Sequence, residues 1–293
     1  MSDNRRQSGF SLIEALLSTG SLGVGLVLIA MVIPVGIKLT SVAVMETVTR
    51  SAPLGLELID AASGRRVGDG LIVRVAPVGR PQRVVIADAN PSGLFVAHDL
   101  PGLGDWSHGG AEPLPHPEFT VHVDDRLGRF LPCRLRLALP AAGLAHPACR
   151  ADIPLFSAPT RIVAGLAAIR AALHTHPDGK LAAWAVVEVR HAGAPLCLGM
   201  TDERGHLLLA FAWPKLVLAD QPLDASTWPL TLHVRHAIGL ETNDTNEPPE
   251  LCAALAQPAA RFVNVVEPLA TVPELAVTLR LGREAQVRCL ITP

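Results

Sequence analysis

Two histidine pairs and several carboxylate clusters are the residues whose spacing could do chemistry. His174 and His176 stand two apart in AALHTHPDGK. On a strand both side chains would leave the same face, as two metal ligands must. No third ligand can be identified, and the Pro177-Asp178-Gly179 turn that follows makes them polar residues at a strand end. His233 and His236 have helical spacing inside LTLHVRHAI, which reads as a strand, so they should face opposite ways. Asp124-Asp125-Arg126 before Gly128 and Asp202-Glu203-Arg204 before Gly205 read as solvated hairpin tips. No metal and no cofactor is expected.

The five cysteines, Cys133, Cys149, Cys197, Cys252 and Cys289, form no CxxC pair and no zinc-like cluster. A disulfide such as Cys133 with Cys149 stays open beside the favoured reading of small buried apolar residues. A GxSxG elbow, a Walker loop, an HExxH helix and a dinucleotide fingerprint are all missing, so no catalytic residue is named and the chain is not expected to be an enzyme. Trp106, Trp213 and Trp228 lie beside loops and read as core or edge caps before they read as partner anchors. The polar stretch from Glu241 to Glu250 reads as an exposed loop.

The elements that would position these residues are short. The 293 residues include 25 Pro, 24 Gly and no Tyr, a composition of many brief segments punctuated by turns. A formal net charge of -2 gives no electrostatic reason to expect nucleic acid as a partner.

The N-terminus differs from the rest. A polar leader with Arg5 and Arg6 runs to Gly9, and an apolar stretch follows from Phe10 to Ile37. A helix needs only about 20 apolar residues to cross a bilayer. Basic residues before the stretch would keep the leader in the cytoplasm. Glu14 inside the run would cost about 2.5 to 3.5 kcal/mol at mid-bilayer and so calls for a partner. Gly20, Gly23, Gly25 and Pro34 loosen the run. Gly9-Phe10-Ser11-Leu12-Ile13-Glu14 resembles the cleavage site of type IV prepilins and type II secretion pseudopilins. The resemblance implies cleavage after Gly9 by a prepilin peptidase, N-methylation of Phe10, and pairing of Glu14 with a neighbouring subunit's N-terminal amine during assembly with other pilin or pseudopilin subunits.

Beyond residue 50 the chain contains an internal repeat. LELIDAASGRRVGDGLIVRV followed by ADANPSGLFVAHDLPG matches AALHTHPDGKLAAWAVVEV followed by GMTDERGHLLLAFAWP, with turn glycines Gly64 and Gly93 in the first copy and Gly179 and Gly205 in the second. The pattern resembles the carboxypeptidase regulatory-like, transthyretin-like β-sandwich. The run from Pro53 to Pro293 also resembles β-domain proteins encoded with phage-tail-like contractile injection systems.

The expected fold is therefore mainly β: a long N-terminal transmembrane helix followed by two β-sandwich domains. Its expected parts are a leader at 1–9, the helix at 10–50, and sandwiches at 51–155 and 156–293. The expected function is that of a minor pilin or pseudopilin, single-pass in the inner membrane with its C-terminal domains extracytoplasmic. The alternative is a membrane-anchored accessory that binds a contractile injection particle.

Overall fold

The computed structural model describes residues 54–103, 117–139, 152–214, 226–240, 247–264 and 270–293, all within the unit Arg50–Pro293. Several of their strands alternate strictly. In Glu118–Asp125 the side chains of Phe119, Val121 and Val123 are buried, and in Thr227–Arg235 those of Trp228, Leu230, Leu232 and Val234 are buried. A period of two commits one face of each strand to a core.

Among the described residues the first sheet holds seven strands: β1 (Leu54–Asp60), β2 (Leu71–Pro77), β3 (Val85–Ala89), β4 (Phe95–Ala97), β5 (Glu118–Asp125), β6 (Cys133–Ala138) and β7 (Asp152–Leu155). They are ordered β6-β5-β2-β3-β4-β1-β7. Strand β3 pairs with β2 through Val85, Ile86 and Ala87 and with β4 through Asp88 and Ala89, so the sheet turns over on itself there.

The second sheet holds β8 (Ala167–Thr175), β9 (Val186–His191), β10 (Ala194–Met200), β11 (His206–Phe211), β12 (Thr227–Arg235), β13 (Ala259–Val263), β14 (Thr271–Val272), β15 (Leu275–Arg280) and β16 (Ala285–Thr292). Its order is β10-β9-β12-β13-β16-β8-β11, with β14 beside β13 and β15 beside β12.

The two sheets repeat one plan. β1 and β8 each pair antiparallel with the fourth strand of their half, β4 and β11, and parallel with the last, β7 and β16. β2 lies between β3 and β5 as β9 lies between β10 and β12. β6 flanks β5 as β15 flanks β12. What the second half adds between β12 and β15 is a short helix, α1 (Leu251–Leu255), with β13 and β14.

The turns coincide as well. The Gly64 N–H donates to the Asp60 carbonyl and the Asp60 N–H to that of Arg65; the Gly179 N–H donates to Thr175 and the Thr175 N–H to Lys180. Gly93 and Gly205 likewise close turns on Asn90 and Asp202, whose side-chain Oδ1 atoms accept from Leu94 N–H and His206 N–H at 2.9 and 2.8 Å. Asp202 thus organises a turn, as its hairpin-tip reading implied.

One expectation is overturned. Among the described residues the only helix is α1, and no helix is long and apolar enough to cross a membrane. At about 1.5 Å per residue, its five residues reach only a fraction of a hydrocarbon core about 30 Å thick. The fold expectation of a long transmembrane helix is corrected accordingly, and the single-pass inner-membrane placement loses its structural support. The apolar run itself, with Gly9, Phe10 and Glu14, lies outside the described residues.

The equivalent turns differ in tolerance. A Cβ at Gly179 would meet nothing within 4 Å, whereas one at Gly205 would lie 2.7 Å from the Leu173 carbonyl oxygen. Both have positive φ, +62° and +68°. Gly179→Ala should cost about 1–2 kcal/mol and Gly205→Ala clearly more. Urea midpoints at unchanged m-value would check this; equal losses would refute it.

Candidate functional site

The inward-facing series of two strands ends on a carboxylate. Leu54, Leu56 and Leu58 of β1 are followed by Asp60, which is 5% exposed. Phe119, Val121 and Val123 of β5 are followed by Asp125, whose side chain is 1% exposed. A charge at the end of a core needs a partner and hydrogen bonds.

Both have them. Arg161, in the segment joining the two sheets, donates from Nη1 to Asp60 Oδ1 at 3.0 Å and from Nη2 to Oδ2 at 2.9 Å. Ala62 N–H and the Ser63 hydroxyl add bonds at 3.0 and 2.9 Å. Asp125 accepts from the backbone of Arg129 and Phe130 at 2.6 and 3.2 Å and from Arg129 Nη2 at 3.1 Å. Asp125 is therefore no solvated tip, contrary to expectation, because the period of β5 turns it inward. Its neighbour Asp124 faces out and pairs with Arg74 at 2.5 Å. Burial works against the charge on both buried carboxyls, but the arginines and N–H groups outweigh it and hold them below their usual range.

These pairs meet at Phe130. The Arg129 guanidinium lies 5.2 Å and that of Arg161 4.9 Å from its ring centroid, within cation–π reach. Arg161 Nη1 also donates to the buried Ser157 hydroxyl at 2.9 Å. From the other side, Arg170 of β8 donates Nη1 to the Pro159 carbonyl and Nη2 to that of Arg161 at 3.0 Å. The connecting segment is held from both halves at once.

A second junction lies at β6. Glu250 caps α1, accepting from Ala253 N–H at 2.9 Å, and accepts from Arg136 N–H of β6 at 3.4 Å. Arg134 pairs with Glu247 at 2.5 Å. The end of the expected exposed loop is thus docked on a strand edge; residues 241–246 lie outside the described residues. Leu251 and Ala254 of α1 join the first core together with Trp184, Val186 and Met200. Trp184, with φ 59°, offers its carbonyl to Gln257 Nε2 at 2.8 Å.

Beside the connecting segment, the outer face of β11, β8 and β16 carries a hollow of about 520 Å³. Register aligns His206 with Ala172 and Ala172 with Arg288; the next row places Leu208, Arg170 and Gln286 together. Pro159 and Thr160 form a wall. Arg170 is engaged, with Glu284 at 2.7 Å and with the carbonyls above. The outer face of β9 and β12 has a comparable hollow, but Glu188 there already meets Arg190 at 2.7 Å and Arg235 at 3.5 Å, and His233 meets Glu274 at 3.3 Å.

The remaining candidates are structural. No group of three His, Cys, Asp or Glu that could hold a metal occurs among the described residues. His174 Nδ1 lies 3.3 Å from the Gly179 carbonyl at the strand end. His236 is buried whereas His233 is half-buried, so they do diverge. Trp213 and Trp228 pack at 5.4 Å at the second core; Trp106 lies outside the described residues. Cys133, Cys197 and Cys289 are free and buried, with thiols pushed up to about 12 by desolvation, and Cys252 is disulfide-bonded. The pairing of Cys133 with Cys149 is thereby ruled out, since Cys133 sits reduced on the inner face of β6.

No family model and no curated protein matches this sequence. Several solved structures are similar. The 5-hydroxyisourate hydrolase of Klebsiella pneumoniae is 13% identical, covering 43% of this chain and 91% of its own, at a TM-score of 0.24. The shaft pilin SpaA of Lactobacillus rhamnosus GG is 8% identical, covering 82% of this chain and 95% of its own, at 0.25. The minor pilin GBS52 of Streptococcus agalactiae is 9% identical, covering 81% and 95%, at 0.24. At these scores the likeness carries no inference about activity or partners, and the sandwich architecture rests on the strand pairing itself.

Removing Arg161 would leave Asp60 buried and uncompensated, so Arg161→Ala should lose about 3 kcal/mol at neutral pH. Because the folded pKa of Asp60 is depressed from 3.8, the pair stabilises fully above the ordinary carboxylate range and fades as pH falls through the lowered value. The gap between wild type and variant should therefore narrow in acid, as denaturant titrations between pH 7 and 2.5 would show; a gap constant with pH would refute the pairing.

Proposed function

We propose that the chain is a pilin-like structural subunit: cleaved after Gly9 by a prepilin peptidase, N-methylated at Phe10, and joined to other subunits with Glu14 paired to a neighbour's N-terminal amine. Its two sandwiches are the part it displays, and it catalyses no reaction. The observation that carries this reading is the double hold on the connecting segment, Arg161 on Asp60 and Arg170 on the carbonyls of Pro159 and Arg161. A displayed array must keep its surface in a fixed orientation, and two halves tied at the linker and again at β6 meet that requirement. The Gly9-Phe10 and Glu14 motif supplies the assembly half of the reading.

Mass spectrometry of the protein isolated from its host should find a mature chain beginning at N-methylated Phe10. Gly9→Ala should abolish that species, whereas Glu14→Ala should keep it while impairing assembly into sedimentable polymer. An intact Met1, or normal assembly of the Glu14→Ala chain, would refute the proposal.

A further inference from the structure

We propose that the hollow on the outer face of β11, β8 and β16 binds a carboxylate-bearing ligand. Three observations converge on it. First, four of its polar groups are free: the side chains of Arg288, His206, Gln286 and Thr160 line it and have no hydrogen-bond or ion-pair partner among the described residues. Arg170 beside them is held by Glu284, as Arg190 and Arg235 on the outer face of β9 and β12 are held by Glu188 and the Leu255 carbonyl. Among the described residues no Asp or Glu lines the hollow.

Second, the row is shaped for a guest. Ala172, the small residue of the row, lies between His206 on one neighbouring strand and Arg288 on the other. Side chains directly opposite across adjacent strands start about 5 Å apart, so His206 and Arg288 stand on the two sides of a gap with an alanine floor. The space of about 520 Å³ lies inside the range of about 300–1,000 Å³ usual for small-ligand sites. Pro159 and Ala172 give it apolar surface for the body of a ligand.

Third, the fold does not require the charge. Arg288 is in register with Ala172 where the first sandwich has Asp152 in register with Glu57, so the repeat completes the same parallel pairing there with two acidic residues and no cation. The basic row belongs to the second copy's surface and not to the shared architecture.

A carboxylate fits better than a phosphate. One unengaged guanidinium offers a planar, two-pronged donor set and a single positive charge, matching one carboxylate. A phosphate dianion would want a second free cation, and Arg170 is already committed to Glu284. The proposal stands whether or not the chain is processed at Gly9.

The test is isothermal titration calorimetry on the full-length chain with benzoate, with acetyl-Gly-Glu-Gly-amide and with inorganic phosphate. Benzoate stands for a free acid and the blocked peptide for a carboxylate carried by another protein, so the tighter of the two identifies the source. Saturable millimolar or tighter binding of at least one is expected. Arg288→Gln should weaken it at least ten-fold and His206→Ala should weaken it measurably, with unchanged thermal unfolding; Arg83→Gln, an exposed change in the turn between β2 and β3, should leave it intact. Absence of binding by both carboxylates, equal binding to the Arg288→Gln chain, or phosphate binding as tightly as either carboxylate would each overturn the assignment.

Discussion

Asp60 and Asp125 occupy the inward positions at which β1 and β5 would otherwise continue their cores, and much of the molecule's arrangement follows from compensating them. A buried carboxylate without a counter-charge is among the most destabilising groups a core can hold. Asp125 is satisfied within its own hairpin by Arg129, four residues on. Asp60 is not, and draws its guanidinium from 101 residues away. Arg161 therefore does two things: it neutralises the end of the first core and fixes the start of the second half. With Phe130 between Arg129 and Arg161, the two carboxylate sites share a single ring.

The internal repeat makes clear which features belong to the fold and which to the surface. Turn glycines, the parallel closing strands and the inward Leu and Val positions recur in both halves. The position equivalent to Asp60 is Thr175, which makes the same backbone turn without a buried charge. A carboxylate there is thus no requirement of the sandwich, and its role lies in the contact with the connecting segment.

The repeat, its turns and the alternation of the strands were legible in the sequence because each depends on neighbours a few residues apart: period two for the cores, positive φ for Gly64 and Gly179. The signal for Asp60 was present too, as a carboxylate continuing Leu54, Leu56 and Leu58, but its partner was not, since nothing local marks Arg161 as the residue that will reach it. Trp184 carries no local signal for a similar reason: it lies in the second half of the chain and packs into the first core. The hollow beside Arg288 exists only once β16 is laid parallel to β8, a pairing no short-range pattern announces. The charged neighbours of Asp125 suggest a solvated tip, while the period of β5 turns it inward.

The position of α1 against β6 bears on how the chain matures during synthesis. Domains emerge from the ribosome N-terminal first, and β7 completes the hydrogen bonding of the first sheet before β8 has been made. Yet the first core includes Trp184, Val186, Met200, Leu251 and Ala254, and the outer edge of β6 meets Glu250. A nascent first half is thus paired but incompletely covered, with an open edge of the kind that recruits strands from other chains. The later half acts as an internal chaperone for the earlier one, and the interval between them is the period in which two growing chains could exchange strands.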